Sequence, residues 1–165
     1  MRALCLLTSA ILLAGPGLSW PAQPQVADAV LVIKSERRLY LLKDGDPFAE
    51  FRVTFGTDPV GHKQRKGDNR TPEGKYVLDW KHEHSDYYKA IHVSYPNAQD
   101  QAEATRRGED PGGSIMIHGQ KNGYEWLSPI SKFFNWTDGC IALTNTDMEK
   151  VWLKVQPGTP IEIMP

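Results

Sequence analysis

Cysteine is nearly missing from this chain of 165 residues, which holds two, Cys5 and Cys140. An internal disulfide framework is therefore excluded as its source of stability. No charge of one sign dominates either. Lys and Arg total 19 against 20 Asp and Glu, a formal net charge of -1. Such a balance creates no global field to draw in nucleic acid or an anionic membrane. No apolar run approaches the about 20 residues that a membrane-spanning helix needs. Repeats and low-complexity linkers are absent as well, so one ordinary globular domain is expected.

The chain opens with Met1-Arg2, then a short apolar run from Ala3 to Ala14, then Gly15-Pro16-Gly17. That order of charge, apolar run and small residues is that of a secretory signal peptide, expected over 1–22 with cleavage after Ser19 or Ala22. Residues 23–29 then form a short mature tail. The protein is expected to be exported, to the periplasm or cell wall, with no transmembrane anchor once the signal is removed. Cys5 departs with the signal, and Cys140 remains alone. A leftover cysteine in an exported protein is either a reactive thiol or an inert buried one.

Hydrophobic periodicity reads mainly as strand. Val30 to Ile33 and Leu39 to Leu42 are short apolar runs, and Lys43-Asp44-Gly45-Asp46 is a hairpin turn leading to Phe48, Phe51, Val53 and Phe55. Gly56 to Pro72 is a polar loop with a basic cluster of Lys63, Arg65, Lys66 and Arg70. Solvated charge explains that cluster, or contact with an acidic substrate. Strands follow at Gly74 to Trp80, Ala90 to Tyr95 and Ser114 to Ile117, and a closing strand at Pro160 to Met164. Asn97 caps a helix over Ala98–Arg107 that Gly108 ends. Ser128-Pro129 starts a helix to about Asn135, and Thr146-x-x-Glu149 is a capping box for a helix packing Met148, Val151, Trp152 and Val155 on the core. The fold class is mainly β with a few short helices (α+β) in a single domain over 30–165.

Thr137-Asp138-Gly139-Cys140 places the thiol directly after a glycine, where the backbone turns sharply and amides face outward. The amides of Gly139 and Cys140 are candidate oxyanion donors. A free thiol titrates near about 8.5 and needs activation. The nearest expected helix start, Asp147, is too distant for its dipole to act. Histidine is the usual activator, and His118 is the best placed of five: it ends a buried strand and precedes Gly119. A structural histidine is the other reading of that position. His92, on an alternating strand, lines the same cleft or faces solvent.

Ile117-His118-Gly119 followed by Thr137-Asp138-Gly139-Cys140 resembles the signature of L,D-transpeptidase catalytic domains, the YkuD family. Asn69 to Tyr76 is similar to the Thr-Pro-x-Gly turn of that family, and Lys89 to Asn97 to its central strand; the resemblance spans about Val30 to Met164. Asp138 stands where the family often has His, and Ala142 where it often has Arg. These departures resemble a divergent branch, which includes hydrolases of wall crosslinks. The resemblance implies an L,D-transpeptidase-like β-sandwich or barrel and ping-pong acyl transfer on peptidoglycan stem peptides. Cys140 would be nucleophile and His118 general acid/base, with no cofactor and no metal, in a monomer.

Gly139, Gly119, Asp138 and Thr137 are the candidate oxyanion or orienting positions, Asp138 as a possible partner of His118. Arg70, His92, Tyr95, Tyr124, Trp126 and Trp136 are the candidate substrate-facing positions. The aromatics between His118 and Cys140 form a lid, or simply pack. Other readings are a hydrolase of the same family, with water as acceptor, a non-catalytic wall-binding domain, and a metal site at His82-x-His84 with Glu83 and Asp86. That last cluster lacks the second ligand pair a zinc site needs. A papain-like enzyme is disfavoured because its Cys precedes its His.

Overall fold

The structure, a computed structural model, describes residues 25–165; the expected signal peptide lies outside them. Eight strands form one sheet: β1 Ala29–Ile33, β2 Arg38–Lys43, β3 Asp46–Arg52, β4 Gly74–Ser85, β5 Tyr88–Val93, β6 Met116–His118, β7 Ile141–Ala142 and β8 Thr159–Met164. Their order is β3-β2-β1-β8-β4-β5-β6-β7. Two pairings, β1 with β8 and β6 with β7, are parallel, and the others are antiparallel. The helices are α1 Ala98–Arg107, α2 Ser128–Ser131 and α3 Asn145–Lys154. Among the described residues, no helix is long and apolar enough to cross a membrane.

Alternation explains the strands. β2 buries Leu39 and Leu41, and β8 buries Ile161 and Ile163, while the residues between them stay partly or wholly exposed. Each such side chain, taken from water, contributes about 1.5–3 kcal/mol before entropy is counted. Asp44 and Gly45 both take positive φ, which closes the β2–β3 hairpin with the twist that sheets favour. Beyond β3 the chain crosses to the far edge of the sheet, where Thr54 bridges Ala142 and Gly56 bridges Thr137. The sheet therefore curls until its two edges meet, which places Cys140 at that seam.

Several boundaries differ from those the sequence predicts. β3 stops at Arg52, because Thr54 and Gly56 make single bridges instead of continuing the β2 ladder. β4 runs on to Ser85, well past Trp80, and β6 shrinks to three residues that end on His118 itself. The helix expected from Ser128 to about Asn135 is only the single turn of α2, Ser128–Ser131, with a 3-10 turn, Glu125–Leu127, ahead of it. Neither piece buries a residue or has a side-chain cap; without a packed face, so short a helix does not propagate. The cap of α3 is Thr144, whose hydroxyl accepts from the Asp147 amide at 3.1 Å, two residues ahead of the expected capping box.

Candidate active site

The parallel pairing of β6 with β7 sets Ile117 opposite Ile141 and His118 opposite Ala142. His118 closes one strand, and Cys140 immediately precedes the other. The Leu143 amide donates to the His118 carbonyl at 2.9 Å and fixes this register. Both side chains line one open cavity of about 650 Å³, with Tyr87, Ser114, Trp136 and Asp138 also on its wall. The imidazole and the thiol thus share a space large enough for part of a peptide.

The imidazole is 4% exposed and enclosed by rings, Tyr87 at 4.8 Å and Trp136 edge-on at 5.7 Å. Its Nδ1 lies 2.6 Å from the Gly119 carbonyl. A carbonyl only accepts, so Nδ1 carries the proton and the lone pair sits on Nε2. Burial lowers the His118 pKa to about 4, against a smaller upward effect of the Gly119 contact. Burial likewise raises the Cys140 thiol above its ordinary value, opposed by a hydrogen bond to the backbone of Met116. Asp138 adds to the rise by repelling a thiolate. At neutral pH the two groups therefore rest as neutral thiol and neutral imidazole, with the thiol directed to the Ser114 carbonyl at 3.7 Å.

Two threonine hydroxyls and two close backbone contacts clamp the cysteine loop. Thr137 Oγ1 donates to the Cys140 carbonyl at 2.7 Å and accepts from the Gly139 amide at 3.3 Å. Thr71 Oγ1, from the polar loop, donates to the Gly139 carbonyl at 2.9 Å. Gly139 has φ +122°, and a Cβ there would lie 2.5 Å from the Arg70 carbonyl oxygen. A Cβ on Gly56 would collide with the Asn69 carbonyl and press on the Gly139 amide. The Gly139 amide is thus already engaged. The Cys140 amide makes no hydrogen bond to any described residue and is the freer candidate for an oxyanion.

The structure gathers Cys140, His118, Thr137, Asp138 and Trp136 around the cavity. Gly119 lies behind His118 and holds it through its carbonyl, the orienting position considered for Asp138, which stays exposed on the wall. The remaining substrate-facing candidates lie off this cavity wall. Tyr95 is 3% exposed, and its hydroxyl donates to the Pro111 carbonyl at 3.1 Å, so it packs beneath the sheet. Arg70 pairs with Asp58 at 2.9 Å. His92 stacks on Trp80 at 4.9 Å and bonds Asp79 at 2.7 Å.

Tyr124 lines a second, apolar cavity of about 350 Å³, and Trp126 stands 72% exposed. Sequence reasoning missed Tyr87 and Gly56, and read Thr71 only as part of the Thr-Pro-x-Gly turn and Ser114 only as a strand start, because their contacts with the site are long-range. His82 and His84 do line the active cavity, and no group of three His, Cys, Asp or Glu side chains converges as a metal would require among the described residues.

Fold and site together define a class: a curled β-domain in which a single thiol and a rigid imidazole line one open cleft. The sequence model of the L,D-transpeptidase catalytic domain, YkuD, matches residues 27–163, and the chain belongs to that family. Membership supports a peptidoglycan-related function. YafK of Escherichia coli (strain K12) is 30% identical over 149 residues, which cover 82% of this chain and 53% of YafK. The crystal structure of the helical cell shape determining protein Pgp2 from Campylobacter jejuni aligns with TM-score 0.62 at 29% identity, over 82% of this chain and 46% of Pgp2. An L,D-transpeptidase from Enterococcus faecium aligns with TM-score 0.55 at 15% identity, over 85% of this chain and 50% of its own, a likeness of fold alone. The chain spans about half the length of the relatives it matches.

Proposed function

We propose that this protein is an exported L,D-transpeptidase-type cysteine enzyme acting on peptidoglycan stem peptides. The observation that carries the reading is that Cys140 and His118 open onto one cavity, at the ends of adjacent parallel strands. His118 Nε2 takes the Cys140 proton as sulfur attacks the carbonyl at the L-centre of diaminopimelate. The oxyanion forms beside the Cys140 amide. As it collapses, the bond to D-alanine breaks, His118 returns the proton to the leaving amine, and a thioester remains on Cys140. An incoming amine then takes the acyl group and regenerates the thiol.

Water as acceptor gives carboxypeptidase or endopeptidase chemistry from the same thioester, and the exposed cavity mouth admits it. The relative Pgp2 is named for helical cell shape; remodelling of wall peptides is the corresponding role proposed here.

Incubation with a carbapenem, followed by intact-mass measurement, tests the thioester step. One covalent adduct on Cys140 is expected, absent from Cys140→Ser and slowed by about 100-fold or more in His118→Asn. A wild-type chain that stays unmodified while a small thiol reagent labels Cys140 would overturn the reading. Muropeptide products then distinguish amine from water.

A further inference from the structure

The segment between His118 and Cys140 carries five large apolar side chains that the catalytic cavity does not use. Trp126 is 72% exposed, Phe134 62%, Ile130 57%, Phe133 52% and Tyr124 50%. Tyr124, Ile130 and Phe134 line the second cavity with Leu127, and Trp136 belongs to both cavity walls, so this face adjoins the mouth of the catalytic cleft. An apolar cluster of this kind on a soluble domain marks an interaction surface.

Its rim is basic. Lys121 lies over the Tyr124 ring at 5.6 Å, and Arg52 and Lys132 both lie over Phe133 at 5.3 Å. Arg37 donates Nη1 to the Phe133 carbonyl at 3.1 Å, while its buried Nε and Nη2 have no partner. Arg52 Nε donates to the Lys132 carbonyl at 3.3 Å. Among the described residues none of these four cations forms an ion pair, whereas Arg38, Lys89, Arg106 and Arg107 elsewhere do. The segment holds two acids: Glu125 accepts from the Gly123 amide, and Asp138 lies apart from the ring cluster, exposed on the catalytic cavity wall. The net charge of -1 for the whole chain thus conceals a local positive surface around exposed rings.

Exposed Trp and Phe flanked by unpaired Lys and Arg is the composition that seats a protein in the headgroup region of an anionic bilayer: rings enter the interface and cations meet phosphate. We propose that the face formed by residues 121–134, with Arg37 and Arg52, docks on an anionic phospholipid surface and holds the catalytic cleft open beside it. Concavity favours the same occupant, because the apolar cavity accepts an acyl chain while the rim binds headgroups. The proposal stands independently of the acyl-transfer reading, since none of these residues touches Cys140 or His118.

Vesicle sedimentation tests it, using the chain from Gln23 onward so that the apolar run near the N-terminus cannot insert. That chain keeps every strand and the whole core described above. Binding is expected to phosphatidylglycerol-containing vesicles, weakening as salt rises, with little binding to phosphatidylcholine alone. R52E/K132E and, separately, W126S/F134S are each expected to weaken it by about tenfold or more. K121E, at an exposed position, serves if circular dichroism shows either pair misfolded. No preference for anionic vesicles, or binding that survives both kinds of substitution, overturns the proposal. So does a wild-type dimer in sedimentation equilibrium that W126S/F134S abolishes, since the face would then bind a second copy of this chain.

Discussion

At the scale of single residues, the site is governed by opposed protonation preferences. Burial keeps His118 neutral down to about pH 4 and keeps the Cys140 thiol protonated above its ordinary range. Only a neutral imidazole can accept the thiol proton, so acylation of Cys140 is expected to persist through mildly acidic pH and to fall with a midpoint near 4. Stopped-flow acylation by a carbapenem between pH 4 and 8 checks this, and a midpoint near 6.5 would show a solvated imidazole. Thr137 matters for a different reason, because one hydroxyl serves both the Cys140 carbonyl and the Gly139 amide. Thr137→Val removes both contacts, a loss of about 1–3 kcal/mol. It should slow carbapenem acylation more than labelling by a small thiol reagent, since placement of the loop is lost and thiol access is kept.

At the scale of elements, the polar loop from Gly56 to Pro72 is a buttress for the cysteine turn. Its anchor is Lys34, 6% exposed, which reaches Glu73 at 2.7 Å, the Gly61 carbonyl at 2.8 Å and the Thr71 carbonyl at 3.2 Å. Removing the cation leaves a carboxylate and two carbonyls without their donor. Lys34→Ala is therefore expected to cost about 3–5 kcal/mol in urea unfolding, and Lys34→Met with Glu73→Gln to recover part of that. Gly139→Ala is expected to destabilise by about 1–3 kcal/mol from its positive φ alone, with a further loss from the collision with Arg70. Of the basic cluster read in the sequence as solvated or substrate-binding, Arg65 and Lys66 are exposed and Lys63 alone turns inward. Lys63 is buried against Asp68 at 2.8 Å, and Arg70 caps the loop through Asp58.

At the scale of the whole molecule, the buried imidazole makes stability depend on pH. In the unfolded chain it binds a proton below about 6.5, whereas in the folded chain it does so only near 4. Between those values the unfolded state holds more protons, so stability falls as pH falls, by up to about 3 kcal/mol. His118→Asn should flatten that part of the profile when denaturation midpoints are compared at pH 7 and pH 4.5. Asp68, held down at about 2 by Lys63 and three backbone amides, acts in a separate and lower window.

Much of this protein was legible from residue order. Period-two burial placed most strands, Asn97 and Gly108 bounded α1, and the His-Gly and Thr-x-Gly-Cys motifs singled out the pair that the cavity brings together. Those are local properties, written in neighbouring side chains. Helix ends near 128–135 were misjudged because propensity, without a buried face, does not sustain so short a helix. The neighbours of the thiol were invisible for a deeper reason. Tyr87 reaches His118 through the β5–β6 pairing and Ser114 reaches Cys140 from just before β6, while Thr71 and Gly56 press on Gly139 from the loop beyond the seam where Thr54 meets Ala142. Sequence by itself singled out Cys140 and His118 as the groups proposed to carry chemistry. Closure of the sheet, which depends on contacts between residues far apart in the chain, decided their surroundings, their proton affinities and which aromatic rings were left facing outward.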